Sequence, residues 1–229
     1  MAKVKPALFE VLHDTQVETV LMRLYKAALR QGWQMLWHFL PKVFQLLGKG
    51  IDWKTEEESF YKDKYIPILP DQGTFLYLQA RAISAQHILE FGTSYGISTI
   101  YLAKAAKDNG GKVISTEYLP HKVQAARKHL EEAGLSDWVE ILEGDARETL
   151  KENTVSFDMV LLDGWPDMVY TIFKLVEPRL KKGAIILVDD VEGFRPSMQD
   201  YLDYVRNPVN GYLSSTISLR KGLEYTVKT

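Results

Sequence analysis

The feature that most constrains the fold is a short apolar strand followed by a glycine-containing turn and a helix, between residues 88 and 106. The strand carries Glu90 near its end, and the turn runs from Gly92 to Gly96. A strand, a glycine turn and a helix in this order are typical of a nucleotide-recognition loop. We expect Gly92 to let the backbone approach a ligand closely and Gly96 to let the start of the helix pack tightly.

The charge and spacing of this turn distinguish between classes of ligand. Dinucleotide folds use the pattern GxGxxG, whose turn binds a pyrophosphate. Here Glu90 stands where its carboxylate would repel a pyrophosphate, and Gly92 and Gly96 are separated by three residues. The turn therefore favours a ligand with a cationic or amino-bearing part over NAD, which argues against an oxidoreductase. From this motif alone, an ordinary strand-to-helix turn in another α/β protein remains the alternative.

Size and composition are those of one large α/β domain. The chain has 229 residues, of which 46% are hydrophobic. A net charge of -2 argues against nucleic acid as the main partner. The absence of cysteine excludes disulfides and thiolate chemistry. No apolar stretch approaches bilayer length and the first residues are too polar for a secretory signal, so we expect a cytoplasmic protein with no membrane partner.

The pattern of the chain changes near residue 70. Residues 1–70 have helical periodicity and many aromatic side chains, and we expect them to form a helical N-terminal cap and lid that contributes to an acceptor pocket or a homodimer contact. Residues 71–229 alternate strands and helices, which predicts an α/β, doubly wound, mostly parallel sheet that ends in an antiparallel hairpin. The expected strands are residues 87–91, 112–117, 138–142, 157–163, 184–189, 212–219 and 223–228, with Lys182-Gly183 as the turn before the fifth.

Acidic residues lie at the ends of most of the expected parallel strands. The carboxyl ends of such strands line the ligand crevice of an open α/β sheet. Buried carboxylates are costly unless they are paired or bound to cations, so a row of them favours a binding site. Glu117 is placed to accept hydrogen bonds from ribose hydroxyls. Asp145 and Ala146 are placed beside an adenine ring, although Asp145 alone fits a helix N-cap equally well. The strand-end acids are Glu90, Glu117, Asp163 and Asp189.

Three of the acids suggest a metal site. Asp163, Asp189 and Asp190 are expected to converge at adjacent strand ends. Hard carboxylate oxygens suit Mg²⁺ or Ca²⁺, with water or substrate oxygens as the remaining ligands. A loop with solvated acids is the alternative for Asp189 and Asp190.

From about Asp71 to its C-terminus the chain resembles the metal-dependent class I S-adenosylmethionine (SAM) O-methyltransferases, the family of catechol and caffeoyl-coenzyme A O-methyltransferases. The matching segments are DQGTFLYLQ, ILEFGTSYGIS, STEYLP, DMVLLDGWPDMVY and ILVDDV. The resemblance implies methyl transfer from SAM to a small hydroxylated acceptor, with a divalent cation such as Mg²⁺. The residues that it implies for SAM are Glu90, Gly92, Ser94, Gly96, Ser98, Glu117, Tyr118, Asp145, Ala146, Asp163 and Trp165. Those that it implies for the metal are Asp163, Asp189 and Asp190, of which Asp163 and Asp189 are also the expected catalytic residues.

Two departures from the family pattern affect the chemistry. The usual Asp-Asn metal pair is Asp189-Asp190 here, and the extra carboxylate either tightens cation binding or marks a site that has drifted in function. The lysine that serves as general base after the tryptophan is replaced by Pro166, which cannot take a proton. Either the metal does more of the activation, or another residue such as Asp167 or His38 is the base. A SAM-binding protein without transfer activity, or a methyltransferase acting on nitrogen or on a macromolecule, is therefore an alternative function.

Overall fold

The computed structural model describes residues 9–39 and 67–229, and for residues 32–39 it describes the backbone alone. These ranges also contain short 3₁₀ turns, at Glu10–Leu12, Ser136–Trp138, Pro166–Met168, Glu177–Arg179 and Pro208–Asn210. The helices are α1 (Thr15–Phe39), α2 (Pro70–Ala82), α3 (Ile97–Asn109), α4 (Pro120–Glu132), α5 (Ala146–Thr149), α6 (Val169–Val176) and α7 (Arg195–Arg206). The strands are β1 (His87–Phe91), β2 (Lys112–Glu117), β3 (Val139–Glu143), β4 (Phe157–Leu162), β5 (Leu180–Val188), β6 (Tyr212–Ile217) and β7 (Leu223–Lys228).

The seven strands form one mixed sheet in the order β3-β2-β1-β4-β5-β7-β6. The first five strands are parallel, and β7 lies antiparallel between β5 and β6. This confirms the doubly wound sheet and the terminal hairpin. The chain moves outward from β1 through β2 to β3 and then returns to place β4 on the other side of β1. That reversal opens a crevice at the carboxyl ends of β1 and β4, where ligands bind in folds of this kind.

The two faces of the sheet are buried in separate apolar clusters. Ile88 packs on the side of α1, α2, α3 and α4, whereas its neighbour Leu89 packs on the side of α5, α6 and α7. Successive side chains of a strand point to opposite faces, so a strand covered on both sides must be apolar throughout. This is why the central strands appear in the sequence as continuous apolar runs.

The described part of the N-terminal region lies on the sheet domain itself. Val17, Leu21 and Leu24 are buried, and their spacing places them on one face of α1. At the helix surface, the Gln16 side-chain amide donates a hydrogen bond of 2.8 Å to the carbonyl of Glu132 on α4. Helix α1 therefore contributes to the core on the α3 and α4 side.

The proposed roles of the cap stay predictions. The side chains of Trp33, Trp37, His38 and Phe39, as well as residues 40–66, lie outside the described residues. The boundary at residue 70 and the acceptor-pocket or homodimer function of the cap therefore rest on the sequence. In the part of the chain that is described, no helix is long and apolar enough to cross a membrane.

One sequence prediction about the sheet is wrong. Lys182 and Gly183 do not form a turn before β5 but lie within this strand, which begins at Leu180. Leu180 pairs with Phe157, and the register then shifts before the next pair. Gly183 has φ +80°, a conformation that glycine adopts without strain and that lets the strand bulge and continue. Most other strand boundaries differ from the prediction by two residues at most.

Candidate ligand site at the carboxyl edge of the sheet

The glycine turn after β1 is held against the ends of two neighbouring strands. Gly92 has φ +104°, and a Cβ atom placed on it would lie 2.5 Å from the carbonyl oxygen of Asp163. The backbone N–H of Gly92 donates to the carbonyl of Thr116 on β2 at 3.2 Å. Gly92 is thus required by close approach of the protein's own backbone at the end of β4.

The second glycine of the turn serves the helix that follows. Gly96 has φ +84°, and a Cβ atom there would lie 3.2 Å from Cβ of Ala126 on α4. The tight packing expected at the start of α3 is therefore present. Between the two glycines, Ser94 is also left-handed, with φ 48°. The turn consequently directs its backbone into the crevice instead of continuing the strand.

Glu117, at the end of β2, is oriented by two backbone N–H groups. Its Oε2 accepts from the N–H of Ser94 at 2.7 Å, and its Oε1 accepts from the N–H of Leu119 at 2.9 Å. Each carboxylate oxygen has more than one acceptor site, so both retain capacity for a ligand. A half-buried carboxylate fixed in this way suits the hydroxyl groups of a ribose. The role stays a prediction, since the geometry shows only that the group is in place.

Glu90 differs from the other strand-end acids because it is fully buried. The hydroxyls of Thr99 and Ser115 each donate to its Oε2 at 2.5 Å. Its Oε1 makes no hydrogen bond within the described residues. Burial raises the pKa of Glu90, the hydroxyls of Ser115, Ser98 and Thr99 act to lower it, and the charge of Glu117 raises it further. An unpaired oxygen in such a place is costly unless a ligand group or a proton satisfies it.

Asp145 uses its carboxylate within its own helix. Its Oδ1 accepts from the backbone N–H of Arg147 at 2.9 Å, and the Arg147 guanidinium binds the same carboxylate through Nε at 3.0 Å and Nη2 at 2.5 Å. Hydrogen bonds from Arg147 hold the pKa of Asp145 below its usual range. The N-cap alternative therefore describes what this side chain does in the structure. Asp145 and the buried Ala146 do lie at the carboxyl edge, and their place beside an adenine ring stays a prediction.

Two aromatic side chains stand open to solvent near the same edge. Tyr118 follows β2 and is 66% exposed, and Trp165 follows β4 and is 48% exposed. An exposed aromatic ring at such an edge can stack on a flat ligand. The expected contacts of Tyr118 and Trp165 with the donor stay predictions.

The remaining acids, Asp163, Asp189 and Asp190, are called here the acid cluster. Asp189 is 3% exposed, and its Oδ1 accepts from the side-chain amide of Gln72 on α2 at 2.7 Å. Burial and the charge of Asp190 raise the pKa of Asp189 to about 6. Burial and the charges of Asp189, Glu90 and Asp190 raise the pKa of Asp163 well above its usual value. The neighbouring carboxylates therefore oppose the ionisation of Asp163 and of Asp189.

Sequence reasoning missed a cation beside the acid cluster. Nε of Arg220 lies 3.7 Å from Oδ1 of Asp190, and its Nη1 lies 4.0 Å from Oδ2 of Asp189. Arg220 is thirty residues after Asp190 and belongs to the connection between β6 and β7. No local motif links it to the acids. Gln72 was likewise not singled out, although it lies in DQGTFLYLQ, one of the segments that resemble the family.

The acid cluster fits a divalent cation by its chemistry. All three side chains offer hard oxygen atoms, and Oδ1 of Asp190 makes no hydrogen bond within the described ranges. Burial, together with the neighbouring carboxylates, raises the pKa values of Asp163 and Asp189. Among the described residues, however, no group of three or more His, Cys, Asp or Glu side chains is placed so that it could hold a metal ion. The metal site accordingly stays a prediction.

Comparison with known proteins agrees with this geometry. Residues 89–191 match a family model described as a methyltransferase domain. A catechol O-methyltransferase of Mycobacterium tuberculosis is 38% identical over 127 residues, which are 55% of this chain and 57% of that protein. Catechol O-methyltransferase B of Danio rerio is 33% identical over 163 residues, 68% of this chain and 60% of that protein. The chain thus spans little more than half the length of these curated relatives.

A solved structure is similar in fold and sequence. It is an O-methyltransferase from Bacillus cereus in complex with SAH, with a TM-score of 0.65 and 26% identity, covering 71% of this chain and 83% of the other. Residues 89–191 therefore match the methyltransferase domain, and the resemblance to catechol O-methyltransferases is confirmed.

Proposed function

We propose that the chain transfers the methyl group of SAM to an oxygen atom of a small hydroxylated acceptor, a phenol or a catechol-like molecule. The observation that carries the proposal is the rigid carboxyl edge built by the turn at Gly92 and the backbone-oriented carboxylate of Glu117. The relatives named catechol O-methyltransferase support the class of reaction. The neighbour bound to SAH supports the donor.

The donor is proposed to lie across the ends of β1, β2 and β4. Glu117 accepts hydrogen bonds from the ribose hydroxyls, and the exposed ring of Trp165 covers one side of the adenine. An amino group of the donor is proposed to supply the hydrogen bond that Oε1 of buried Glu90 lacks. Ser94 and Ser98 complete the contacts of the turn with the amino acid part of SAM.

The residues of the edge contribute by alignment. In the transfer, the bond between the methyl carbon and the sulfonium sulfur breaks and leaves its electron pair on sulfur, while an acceptor oxygen forms the new bond and loses its proton to a base. A fixed turn and a fixed carboxylate hold the donor in one orientation. The methyl group is therefore already aligned for attack by the acceptor oxygen, which lowers the entropic cost of the reaction.

Activation of the acceptor is assigned to the acid cluster. A divalent cation held by Asp163, Asp189 and Asp190 would supply Lewis acidity that favours the ionised acceptor hydroxyl. Pro166 has no basic group, so the proton must go elsewhere. Exposed Asp167, one residue further along, is the proposed acceptor of the proton within the described residues. His38, the other residue considered, has its side chain outside them.

Donor binding is tested first. Calorimetry should show binding of SAM and of its demethylated product, S-adenosylhomocysteine, and Glu117→Ala should weaken both. Glu140→Ala, an exposed acid within β3, is the matched control and should bind as the unchanged protein does. Tight binding of NAD with no response to SAM would overturn the proposal.

Turnover is tested next, with a panel of catechols and other phenols and with Mg²⁺ present or absent. Methylated product with at least one phenolic acceptor is expected. Pro166 favours a second candidate function, a SAM-binding protein without O-methyl transfer. Tight SAM binding without product from any acceptor would select that candidate, and product from amines or a macromolecule alone would reassign the acceptor class.

A further inference from the structure

Arg220 is the feature at the carboxyl edge that the proposed function leaves without a role. Its guanidinium lies 3.7 Å from Asp190 and 4.0 Å from Asp189, and 26% of its side chain is exposed. Among the side chains of residues 9–31 and 67–229, the ion pairs of these two acids involve no other cation. The acid cluster is therefore only partly neutralised by the protein itself.

The position of Arg220 is built by the fold. The turn that carries it is clamped to the loop after Asp190, because the N–H of Val191 donates to the carbonyl of Gly222 at 3.1 Å and the N–H of Glu192 donates to that of Lys221 at 2.9 Å. Arg220 itself is left-handed, with φ 51°, and the facing Asp190 is as well, with φ 54°. The left-handed backbone at Arg220 and Asp190 directs both side chains differently from the extended backbone of a strand.

The distances between the Arg220 guanidinium and the two carboxylates show that they form no hydrogen bonds. Hydrogen bonds between charged nitrogen and oxygen atoms are typically about 2.7–2.9 Å long, so 3.7 and 4.0 Å are too long for such bonds. The guanidinium therefore contributes its charge without occupying the carboxylate oxygens. Oδ1 of Asp190, the atom nearest to Nε of Arg220, is buried and has no hydrogen-bond partner among the described residues. It stays available to a ligand.

We propose that Arg220 sets the charge of the acid cluster so that it matches one divalent cation, with Asp190 and Arg220 acting as a compensating pair. This inference rests on the metal site of the proposed function. Three ionised carboxylates carry a charge of -3, and the guanidinium reduces it to -2, which a divalent cation neutralises. Without Arg220 the cluster would be over-charged, and without the Asp190 carboxylate it would be under-charged.

Substitutions of Arg220 and of Asp190 should change the affinity for a divalent cation in opposite directions. Arg220→Gln removes the repelling charge, so the affinity for a divalent cation should rise by roughly tenfold or more, since charges at these distances interact strongly near a protein surface. Asp190→Asn removes an attracting charge and leaves a neutral amide oxygen as the ligand, so the affinity should fall by a similar factor. The double variant should return to within a few-fold of the unchanged protein.

The measurement is calorimetric titration of the full chain with Mg²⁺, together with the free Mn²⁺ signal in electron paramagnetic resonance. Arg220→Lys keeps the charge and should leave the affinity nearly unchanged. Lys221→Gln removes the same charge from the next position of the turn, where the side chain lies beside Gly193, and should have a much smaller effect. Melting curves and binding of S-adenosylhomocysteine establish that each variant is folded.

Several outcomes would overturn the inference. Equal cation affinities of the unchanged protein and Arg220→Gln would show that the guanidinium does not set the charge. An Arg220→Gln effect that Lys221→Gln reproduces would be a general surface effect. Failure of every folded variant to bind a divalent cation, with S-adenosylhomocysteine binding retained, would overturn both this inference and the metal part of the proposed function while leaving methyl transfer to its own test.

Discussion

Replacing Gly92 by alanine is expected to lower both the stability of the protein and its affinity for the donor. The loss of stability has two causes, a steric clash and an unfavourable backbone conformation. A Cβ atom at this position would lie 2.5 Å from the carbonyl oxygen of Asp163 and 2.8 Å from its carbonyl carbon, and the φ of +104° is one that alanine rarely adopts. The neighbouring atoms belong to backbone, so they cannot move aside as a flexible side chain would. The ends of β1 and β4 must separate.

The magnitude follows from a comparison with Gly183. That residue has φ +80°, and a Cβ atom there would meet nothing within 4 Å, so Gly183→Ala carries only the conformational cost. The conformational cost is about 1–2 kcal/mol. Overpacking at Gly92 adds about 1–3 kcal/mol. For a domain of this size, each kcal/mol lowers the melting temperature by roughly 2–4 °C.

The assay is urea unfolding and thermal melting of both variants beside the unchanged protein. Gly92→Ala should be less stable than Gly183→Ala by about 1–3 kcal/mol, the overpacking contribution alone. Titration with S-adenosylhomocysteine should show weaker binding for Gly92→Ala only. If the two variants melted together and bound equally, the close approach of Gly92 to Asp163 would not be the reason for the glycine.

Other predictions concern the buried acids and the metal. Burial acts to raise the pKa of Glu224, but hydrogen bonds from Arg206, Thr216 and Ser214 outweigh it and hold the pKa below its usual value. A lowered folded-state pKa stabilises the protein above the unfolded pKa, and this contribution is lost as pH falls through the folded value. Glu224→Gln should lower the free energy of unfolding by about 1–3 kcal/mol at pH 7. The stability of this variant should also decrease less as the pH falls. Urea unfolding at several pH values measures this, and an unchanged pH dependence would contradict the prediction. Thr99→Val, which removes a hydroxyl from buried Glu90, should destabilise the chain by about 1–3 kcal/mol, whereas Thr99→Ser should retain most of the stability in the same assay. Excess chelator should abolish turnover and leave S-adenosylhomocysteine binding intact, and undiminished turnover would argue against a metal role.

The sequence predicted the elements of the fold because its signals are local. Strands β1, β2 and β7 have the expected bounds, since each is an apolar or alternating run of a few residues between polar or glycine-containing segments. The error at Lys182-Gly183 has a local cause as well. A glycine is compatible with a turn or with a bulge, and only pairing with the neighbouring strand decides between them.

For the candidate site, the sequence by itself determined which residues stand at the carboxyl ends of the strands, and the tertiary structure decided what they contact. The reason for Gly92, a backbone carbonyl at the end of β4, depends on β1 and β4 being neighbours. The approach of Arg220 to Asp190 depends on β7 returning beside β5. Alternating strands and helices are compatible with many strand orders, so contacts between distant segments are set by the packing of the whole sheet and not by any local pattern.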